Sequence, residues 1–206
     1  MFFEFLYWTV GRLIKWIFRL QPEGLENLPK HGALLCPNHA SDWDPVLIGV
    51  CLPHNYHLRI MAKEALFHNK ALAWLIRKLG AFPVTRGTAD IQSVKTAMQV
   101  IKDGQNLLIF PEGTTIRNGL GYVDGLPPHA HSGIAVIGVR SGATLVPVFA
   151  DGPKKPFHKH RIIFGKPYTP VYTGRRGTSE EMQKIADDIL EEAYALGGQK
   201  VGGEPL

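Results

Sequence analysis

The chain has 206 residues, of which 45% are hydrophobic and 20% charged, and its formal net charge is +5. This length and composition predict one globular domain with an appendage and exclude a disordered protein. The positive charge favours an anionic partner. Because the sequence has no zinc-finger spacing, no RNP-like aromatic strand and no block of five or more basic residues, a membrane or a phosphorylated small molecule is favoured over nucleic acid.

The first twenty residues, MFFEFLYWTVGRLIKWIFRL, have the pattern of an amphipathic helix. At 100° per residue the charged side chains fall within an arc of about 80°, and apolar side chains cover most of the remaining circumference. Such a helix packs on the protein's own core or lies in the plane of a membrane, and so wide an apolar face favours the membrane. We therefore predict that residues 1–21 bind a lipid surface. The predicted membrane contacts are Phe2, Phe3, Trp8, Arg12, Lys15, Trp16 and Arg19.

Short apolar runs alternate with helical patterns from Gly32 onward. Strands are predicted at residues 33–36, 58–61, 81–84, 107–110 and 145–149. Helices are predicted around residues 72–79, 91–101, 134–139 and 178–197, the last with a capping box of Thr178 and Glu181. This alternation predicts an α/β domain over residues 22–197, with a mostly parallel central sheet flanked by helices. Residues 198–206 are predicted to form a flexible tail, and Cys36 and Cys51 to be small buried thiols in a reducing compartment.

A histidine and two aspartates follow the strand at residues 33–36, in the segment NHASDWDP. His39 is a candidate general base, because imidazole titrates near neutral pH. Asp44 could orient its ring if the segment turns back. Asp44 followed by Pro45 is also a typical helix start, and Asp42 competes for either role.

A second polar segment, PEGTTIR, follows the strand at residues 107–110. The turn containing Glu112, Gly113 and Thr114 offers backbone N–H groups and hydroxyls suited to a phosphate or an oxyanion, and Arg117 lies close behind. An ordinary turn between a strand and a loop has the same composition.

Two cations occupy comparable positions after other strands. Arg86 follows the strand at residues 81–84, and its planar guanidinium suits a phosphate, although a solvated surface arginine would look the same. Lys63 follows the strand at residues 58–61, where it could equally be a charge at a helix start. The carboxyl ends of parallel strands meet at one edge of a sheet, so a base, a carboxylate and several cations are predicted to converge there.

These segments resemble the glycerolipid acyltransferases, the 1-acylglycerol-3-phosphate acyltransferase family. The resemblance extends from about residue 32 to 148 and includes the family's H-x4-D motif as His39 and Asp44. The matching segments are NHASDWD at 38–44, KEALF at 63–67, GAFPVTR at 80–86, FPEGT at 110–114 and VPV at 146–148. Each motif is weak alone, but their order and spacing together are specific.

The resemblance implies transfer of a fatty acyl group from a thioester to the free hydroxyl of 1-acylglycerol-3-phosphate, giving phosphatidate. His39 would be the general base and Asp44 its orienting partner. Phosphate binding would fall to Arg86, Lys63, Glu112, Gly113, Thr114 and Arg117. The co-substrate would be acyl-CoA or an acyl-acyl-carrier protein, with no metal or other cofactor, at the cytoplasmic face of the cell membrane in a peripheral or monotopic protein. Another lysophospholipid or glycerol 3-phosphate as acceptor, a non-catalytic acidic-lipid-binding module and a lipid hydrolase are the alternatives.

The sequence departs from the family pattern at Thr115, where the family usually has arginine. This difference concerns the acceptor headgroup more than the reaction type. Ser41 lacks a Gly-x-Ser-x-Gly elbow and is predicted to make a structural hydrogen bond rather than to act as a nucleophile. His129 and His131 lack further recognisable metal ligands nearby. A basic surface is predicted from Lys154, Lys155, His158, Lys159, His160 and Arg161.

Overall fold

The structure, a computed structural model, describes residues 2–84, 91–116 and 128–206, with side chains from Thr9 onward. Its described part contains a seven-stranded sheet with strand order β1-β7-β6-β2-β5-β3-β4. The strands are β1 Leu20–Glu23, β2 Ala33–Pro37, β3 Leu58–Lys63, β4 Ala81–Val84, β5 Asn106–Leu108, β6 Thr144–Ala150 and β7 His160–Phe164.

Five neighbouring strands, from β6 to β4, run parallel to one another. β7 pairs antiparallel to β6, and β1 pairs parallel to β7 at the edge of the sheet. Every residue of β2 is buried, because β2 lies at the centre of the sheet with helices on both faces. The predicted α/β domain with a mostly parallel sheet is therefore confirmed.

Helices cover both faces of the sheet. They are α1 Phe2–Ile17, α2 Asp44–Cys51, α3 Lys70–Lys78, α4 Ile91–Lys102, α5 Gly133–Ser141 and α6 Ser179–Leu196. One core cluster joins the sheet to α4, α5 and α6, and a second joins the other face to α2 and the inner side of α3. The capping box of Thr178 and Glu181 begins α6 as predicted.

The five predicted strands and the four helices predicted after them are present, with ends shifted by up to two residues. Two strands, β1 and β7, were not predicted. β1 has only four residues and contains Pro22, so its sequence carries little strand signal. β7 alternates buried and half-buried residues and begins with His160 and Arg161, a pattern that the sequence presents as a basic surface.

The N-terminal helix docks on the domain by one side and exposes another. Gly11 and Phe18 are buried, and α1 contacts α2, where a Cβ on Gly11 would lie 3.8 Å from Val50 Cγ1. Val10 and Leu13 lie on the exposed side. The predicted segment boundary at residue 21 falls inside β1, since α1 ends at Ile17 and the chain then joins the sheet. No helix among the described residues is long and apolar enough to cross a membrane.

The C-terminal residues fold back as a short hairpin. Gln199 forms an antiparallel bridge with Pro205, and the Leu206 N–H donates to the Gly198 carbonyl over 3.0 Å. Gly202 is buried and, with Gln199, borders a small pocket beside Asn38. This conformation differs from the predicted frayed tail, because the backbone hydrogen bonds of these residues are made within the hairpin.

Candidate active site

The loop after β2 carries His39 and turns into α2 at Asp44. Asn38 fixes the start of this loop, since its side chain donates to the Ala150 carbonyl over 3.1 Å and accepts from the Ala150 N–H over 2.8 Å. Asn38 thus joins the ends of the neighbouring strands β2 and β6. The position of His39 is therefore tied to the carboxyl edge of the sheet.

The His39 ring is held on two sides. His39 Nδ1 lies 3.1 Å from Asp44 Oδ2, and the ring stacks on Phe110 with a centroid separation of 3.8 Å. The His39 side chain is only 8% exposed. Because the Asp44 contact uses Nδ1, the nitrogen left to face a reactant is Nε2.

Asp44 resolves the alternatives that the sequence left open. It is the first residue of α2, but its fully buried carboxylate faces back into the loop. Asp44 Oδ2 also accepts from the Ser41 N–H over 2.7 Å, and Asp44 Oδ1 lies 3.3 Å from Lys154 Nζ. The Ser41 hydroxyl accepts from the Trp43 N–H over 3.3 Å, which is the structural hydrogen bond predicted for it.

Glu112 is buried beneath the His39 loop. One carboxylate oxygen accepts from the His39 N–H over 2.6 Å and the other from the Tyr194 hydroxyl over 2.7 Å. Burial raises the pKa of the Glu112 carboxyl above its usual range, and these two hydrogen bonds oppose that effect. The Ile116 N–H donates to the His39 carbonyl over 2.8 Å, so both backbone polar groups of His39 are bound to the segment after β5.

Gly113 and Thr114 form the turn next to Glu112. Gly113 has φ +65°, and a Cβ there would lie 2.7 Å from His131 Cδ2, so a larger residue would be strained and crowded. The Gly113 N–H donates to the Phe110 carbonyl over 3.1 Å and is thus not open to an oxyanion. Thr114 is exposed at the surface of this turn.

Thr115 is the side chain that meets the reactive nitrogen. Its Oγ1 lies 3.0 Å from His39 Nε2 and donates to Asp42 Oδ1 over 2.9 Å. Asp42 is exposed and Thr115 is half-buried, so this is the open side of the histidine ring. Asp42 contacts Thr115 rather than competing with Asp44 for the imidazole.

The predicted phosphate ligands are only partly within the described residues. Lys63 is exposed at the carboxyl end of β3, in register with Val84 at the end of β4. Two strand spacings separate β3 from β2, so the backbone of Lys63 lies about 10 Å to the side of β2, the strand that precedes His39. Arg86 and Arg117 lie outside the described residues.

The predicted membrane contacts also lie only partly within the described residues. The side chains of Phe2, Phe3 and Trp8 lie outside the described part. Arg12, Trp16 and Arg19 are exposed and Lys15 is half-buried. Trp16 is 67% exposed and meets the ring of Phe157 edge-on, with centroids 5.8 Å apart; Phe157 is 61% exposed.

The predicted basic surface after β6 is partly wrong. Lys155, His158 and Lys159 are exposed, but the Lys154 side chain is fully buried against Asp44. His160 is also buried, and its Nε2 accepts from the Lys155 N–H over 3.1 Å. A buried acid partner explains the position of Lys154, and sequence spacing gives no sign of that partner.

Several contributors to the site were not predicted as such, among them Lys154, Tyr194 and Asn38; the contacts of Phe110 and Thr115 with the His39 ring were not predicted either. Tyr194 lies on the buried stripe of α6, where its spacing indicates only core packing, and it reaches Glu112 across 82 positions of sequence. Asn38 belongs to the segment NHASDWD, but its hydrogen bonds to Ala150 depend on which strand lies beside β2. Contacts between segments so far apart in sequence can be predicted only when the fold is known.

Comparison with known proteins gives the family. The family model described as Acyltransferase matches residues 19–151. The 1-acyl-sn-glycerol-3-phosphate acyltransferase of Bacillus subtilis is 34% identical over 149 residues, covering 69% of this chain and 70% of that protein. The protein of the same name from Streptococcus pneumoniae is 28% identical over 178 residues, covering 84% of this chain and 62% of that protein.

A solved structure agrees in fold. The 1-acyl-sn-glycerophosphate acyltransferase PlsC of Thermotoga maritima superposes with a TM-score of 0.64 at 22% identity, covering 94% of this chain and 82% of that chain. The family match includes both His39 and Asp44, whose side chains meet at the carboxyl edge of the sheet. The chain therefore belongs to the acyltransferase family, and it is an enzyme of the 1-acylglycerol-3-phosphate acyltransferase type.

Proposed function

We propose that this enzyme transfers a fatty acyl group from acyl-CoA or an acyl-acyl-carrier protein to the free hydroxyl of 1-acylglycerol-3-phosphate, giving phosphatidate for phospholipid synthesis. The observation that carries the proposal is the buried contact of His39 Nδ1 with Asp44, which leaves Nε2 facing a hydroxyl 3.0 Å away. This arrangement is suited to removing a proton from an alcohol. The substrate named for the similar Bacillus and Streptococcus proteins supports the choice of acceptor.

His39 is the proposed general base. The acceptor hydroxyl loses its proton to His39 Nε2 while its oxygen forms a bond to the thioester carbonyl carbon. The carbon–sulfur bond then breaks, and the imidazolium returns the proton to the departing thiolate. Asp44 holds the ring and stabilises its transient positive charge. No group on the protein is acylated in this sequence, and no cofactor is required.

Thr115 marks the place that the acceptor hydroxyl takes. Its Oγ1 occupies the hydrogen-bonding position at Nε2 on the exposed side of the ring. A substrate hydroxyl that displaces Thr115 meets the same nitrogen at a similar distance, which is the geometry that direct attack requires. Thr115 is also a candidate nucleophile, since the three side chains are connected as in a Thr-His-Asp triad, and an acyl adduct on Thr115 would distinguish that mechanism from direct transfer.

The acceptor phosphate is proposed to bind beside β3. Lys63 is exposed there, and Thr114 adds an exposed hydroxyl in the turn after β5. Arg86 and Arg117 follow β4 and β5 in sequence, and they remain proposed ligands. Because Thr115 replaces the arginine usual in the family, an acceptor with a different headgroup is the second candidate, and an assay across several lysophospholipids and glycerol 3-phosphate distinguishes the two.

The phosphate role first predicted for Glu112 is revised. Both of its carboxylate oxygens are occupied by His39 N–H and Tyr194 OH, and a carboxylate repels a phosphate. We propose instead that Glu112 is a positioning residue that fixes the backbone of His39.

Binding to the cytoplasmic face of the membrane is proposed for the exposed side of α1. Val10, Leu13 and Trp16 are 41%, 52% and 67% exposed, and Arg12 lies beside them with a positive charge suited to anionic lipid. Phe157 extends this apolar surface through its contact with Trp16. The docking of α1 on α2 then holds the site close to the lipid surface from which the acceptor comes.

Replacing His39 with alanine should lower kcat/KM by about 10²- to 10⁴-fold, because the hydroxyl loses its proton acceptor. Asp44→Asn should lower kcat substantially while leaving KM for the acceptor nearly unchanged, because Asp44 orients the ring without touching substrate. Steady-state assays with lysophosphatidate and acyl-CoA measure both effects. His31→Ala is the matched control, since His31 is exposed and precedes β2 at the opposite edge of the sheet. Full activity of His39→Ala would overturn the proposed mechanism.

Thr115→Ala should keep kcat within about threefold of wild type, because the hydroxyl only occupies the site that the acceptor takes. Wild-type protein mixed with acyl donor alone should show no mass increase by intact-mass spectrometry. An acyl adduct that appears in wild type and disappears in Thr115→Ala would mean that Thr115 is the nucleophile and that direct transfer is wrong.

Glu112→Ala should reduce the free energy of unfolding by about 2 kcal/mol or more, because it leaves the His39 N–H and the Tyr194 hydroxyl buried without an acceptor. Glu112→Gln keeps an acceptor for the His39 N–H, and its amide N–H can donate to the Tyr194 oxygen in place of the hydrogen bond that Tyr194 now donates. Since burial raises the pKa of Glu112, wild type should lose stability relative to Glu112→Gln as the pH rises through that raised value. Urea unfolding at several pH values tests this, with exposed Glu191→Gln as control. An unchanged difference between pH 4 and 7 would contradict it.

The double variant Leu13→Glu/Trp16→Glu should bind anionic vesicles at least about tenfold more weakly, because two apolar contacts are replaced by charges that lipid phosphates repel. Vesicle sedimentation measures the bound fraction. Val171→Glu is the control, since Val171 is 85% exposed in the loop between β7 and α6. If the double variant binds as wild type does, α1 is not the membrane anchor.

A further inference from the structure

A buried lysine contacts the acid partner of the proposed base. Lys154 Nζ lies 3.3 Å from Asp44 Oδ1, and both side chains are fully buried. Asp44 uses its other oxygen, Oδ2, for His39 Nδ1. The carboxylate therefore lies between an imidazole and an ammonium group, on the side of the ring opposite the reactant.

The loop after β6 holds this lysine in place. Lys154 Nζ donates to the Asp151 backbone carbonyl, and the Asp151 carboxylate accepts from the Arg161 N–H over 2.6 Å, which fixes the loop to β7. β6 is the neighbour of β2 on the side away from β5. Lys154 thus reaches Asp44 from one side while the β5 segment binds His39 from the other.

Within the described residues, the charged and titratable neighbours of Lys154 and His39 are as follows. Lys154 is near Asp44, Asp151 and the Cys51 thiol, whose pKa burial raises to about 12. Burial lowers the pKa of Lys154, and the neighbouring carboxylates oppose that effect. His39 faces Asp44 and the backbone-bound Glu112, and it reaches Asp42 through Thr115.

We infer that Lys154 is a positioning residue that fixes the Asp44 carboxylate and limits how strongly this carboxylate holds a proton on His39. An uncompensated buried carboxylate beside the ring favours the imidazolium, which cannot act as a base. The ammonium group cancels part of that field, so the two charges together favour the imidazolium less than the carboxylate alone would. This inference rests on the proposed role of His39.

A purely structural ion pair would produce a different pattern. Its loss would reduce stability and the amount of folded enzyme, but it would leave the pH dependence of the remaining activity unchanged. The acidic limb of the kcat/KM profile therefore separates the two explanations.

Lys154→Met and Lys154→Gln should move the acidic limb of kcat/KM to higher pH by about 0.5 to 1 unit, because the cation that disfavours the imidazolium is gone. Lys154→Arg keeps the charge and should keep the limb near its wild-type position. Lys155→Met is the matched control, since Lys155 is adjacent and exposed. Circular dichroism and urea unfolding show which variants are folded. A wild-type acidic limb in a folded Lys154→Met or Lys154→Gln enzyme overturns the inference.

A second comparison covers the case in which both neutral variants fail to fold. In Asp44→Asn the buried charge is absent, so adding Lys154→Met leaves no unpaired carboxylate. Because fixing the carboxylate requires Asp44, the double variant should have the plateau rate of Asp44→Asn alone. Because the ammonium charge also acts on the ring directly, the acidic limb of the double variant should lie at higher pH than that of Asp44→Asn. A lower plateau rate or an unmoved limb in the double variant overturns the inference.

If His39→Ala is fully active, the proposed function fails. If only the Lys154 comparisons fail, the proposed function stands.

Discussion

The contact between Asp44 and His39 Nδ1 is the interaction on which the site depends. A carboxylate buried completely loses its hydration, and it is tolerated only when hydrogen bonds and opposite charge replace the lost water. Here the Ser41 N–H, the imidazole and the Lys154 ammonium group take that place. The conformation of the loop after β2 is consequently constrained, because a displacement of Asp44 would leave one of these polar groups buried without its partner.

Sheet topology explains how groups so far apart in sequence meet. β2 lies between β6 and β5, so the loops after these three strands begin side by side at one edge. The β5 segment supplies Glu112 and Thr115, and the β6 loop supplies Lys154. The hydrogen bonds from His39 N–H to Glu112 and from Ile116 N–H to the His39 carbonyl fix the residue by its backbone. Its ring therefore needs only Asp44 and Phe110 to define its orientation.

Sequence predicts most of this fold and the centre of the site for identifiable reasons. Buried parallel strands are continuous apolar runs, and the His39 and Asp44 spacing follows one of them directly. The edge strand β1 contains a proline, its neighbour β7 begins with His160 and Arg161, and neither strand was predicted. Lys154 resembled a surface cation because its partner comes from a different loop, and Glu112 resembled a phosphate ligand because its partner Tyr194 lies on α6. Local patterns define elements, whereas these pairings depend on strand order.

Hydrogen-bond capacity at Thr115 bears on how the proposed acceptor hydroxyl would enter the site. The Thr115 hydroxyl has one proton and donates it to Asp42 Oδ1. In the tautomer with the ring proton on Nδ1, Nε2 is an acceptor that Thr115 cannot serve at the same time as Asp42. The proposed acceptor alcohol would supply the missing donor to Nε2, and Thr115 would keep its hydrogen bond to Asp42. The net cost of this entry would be small, because a hydrogen bond forms at Nε2 and the Thr115–Asp42 bond is retained.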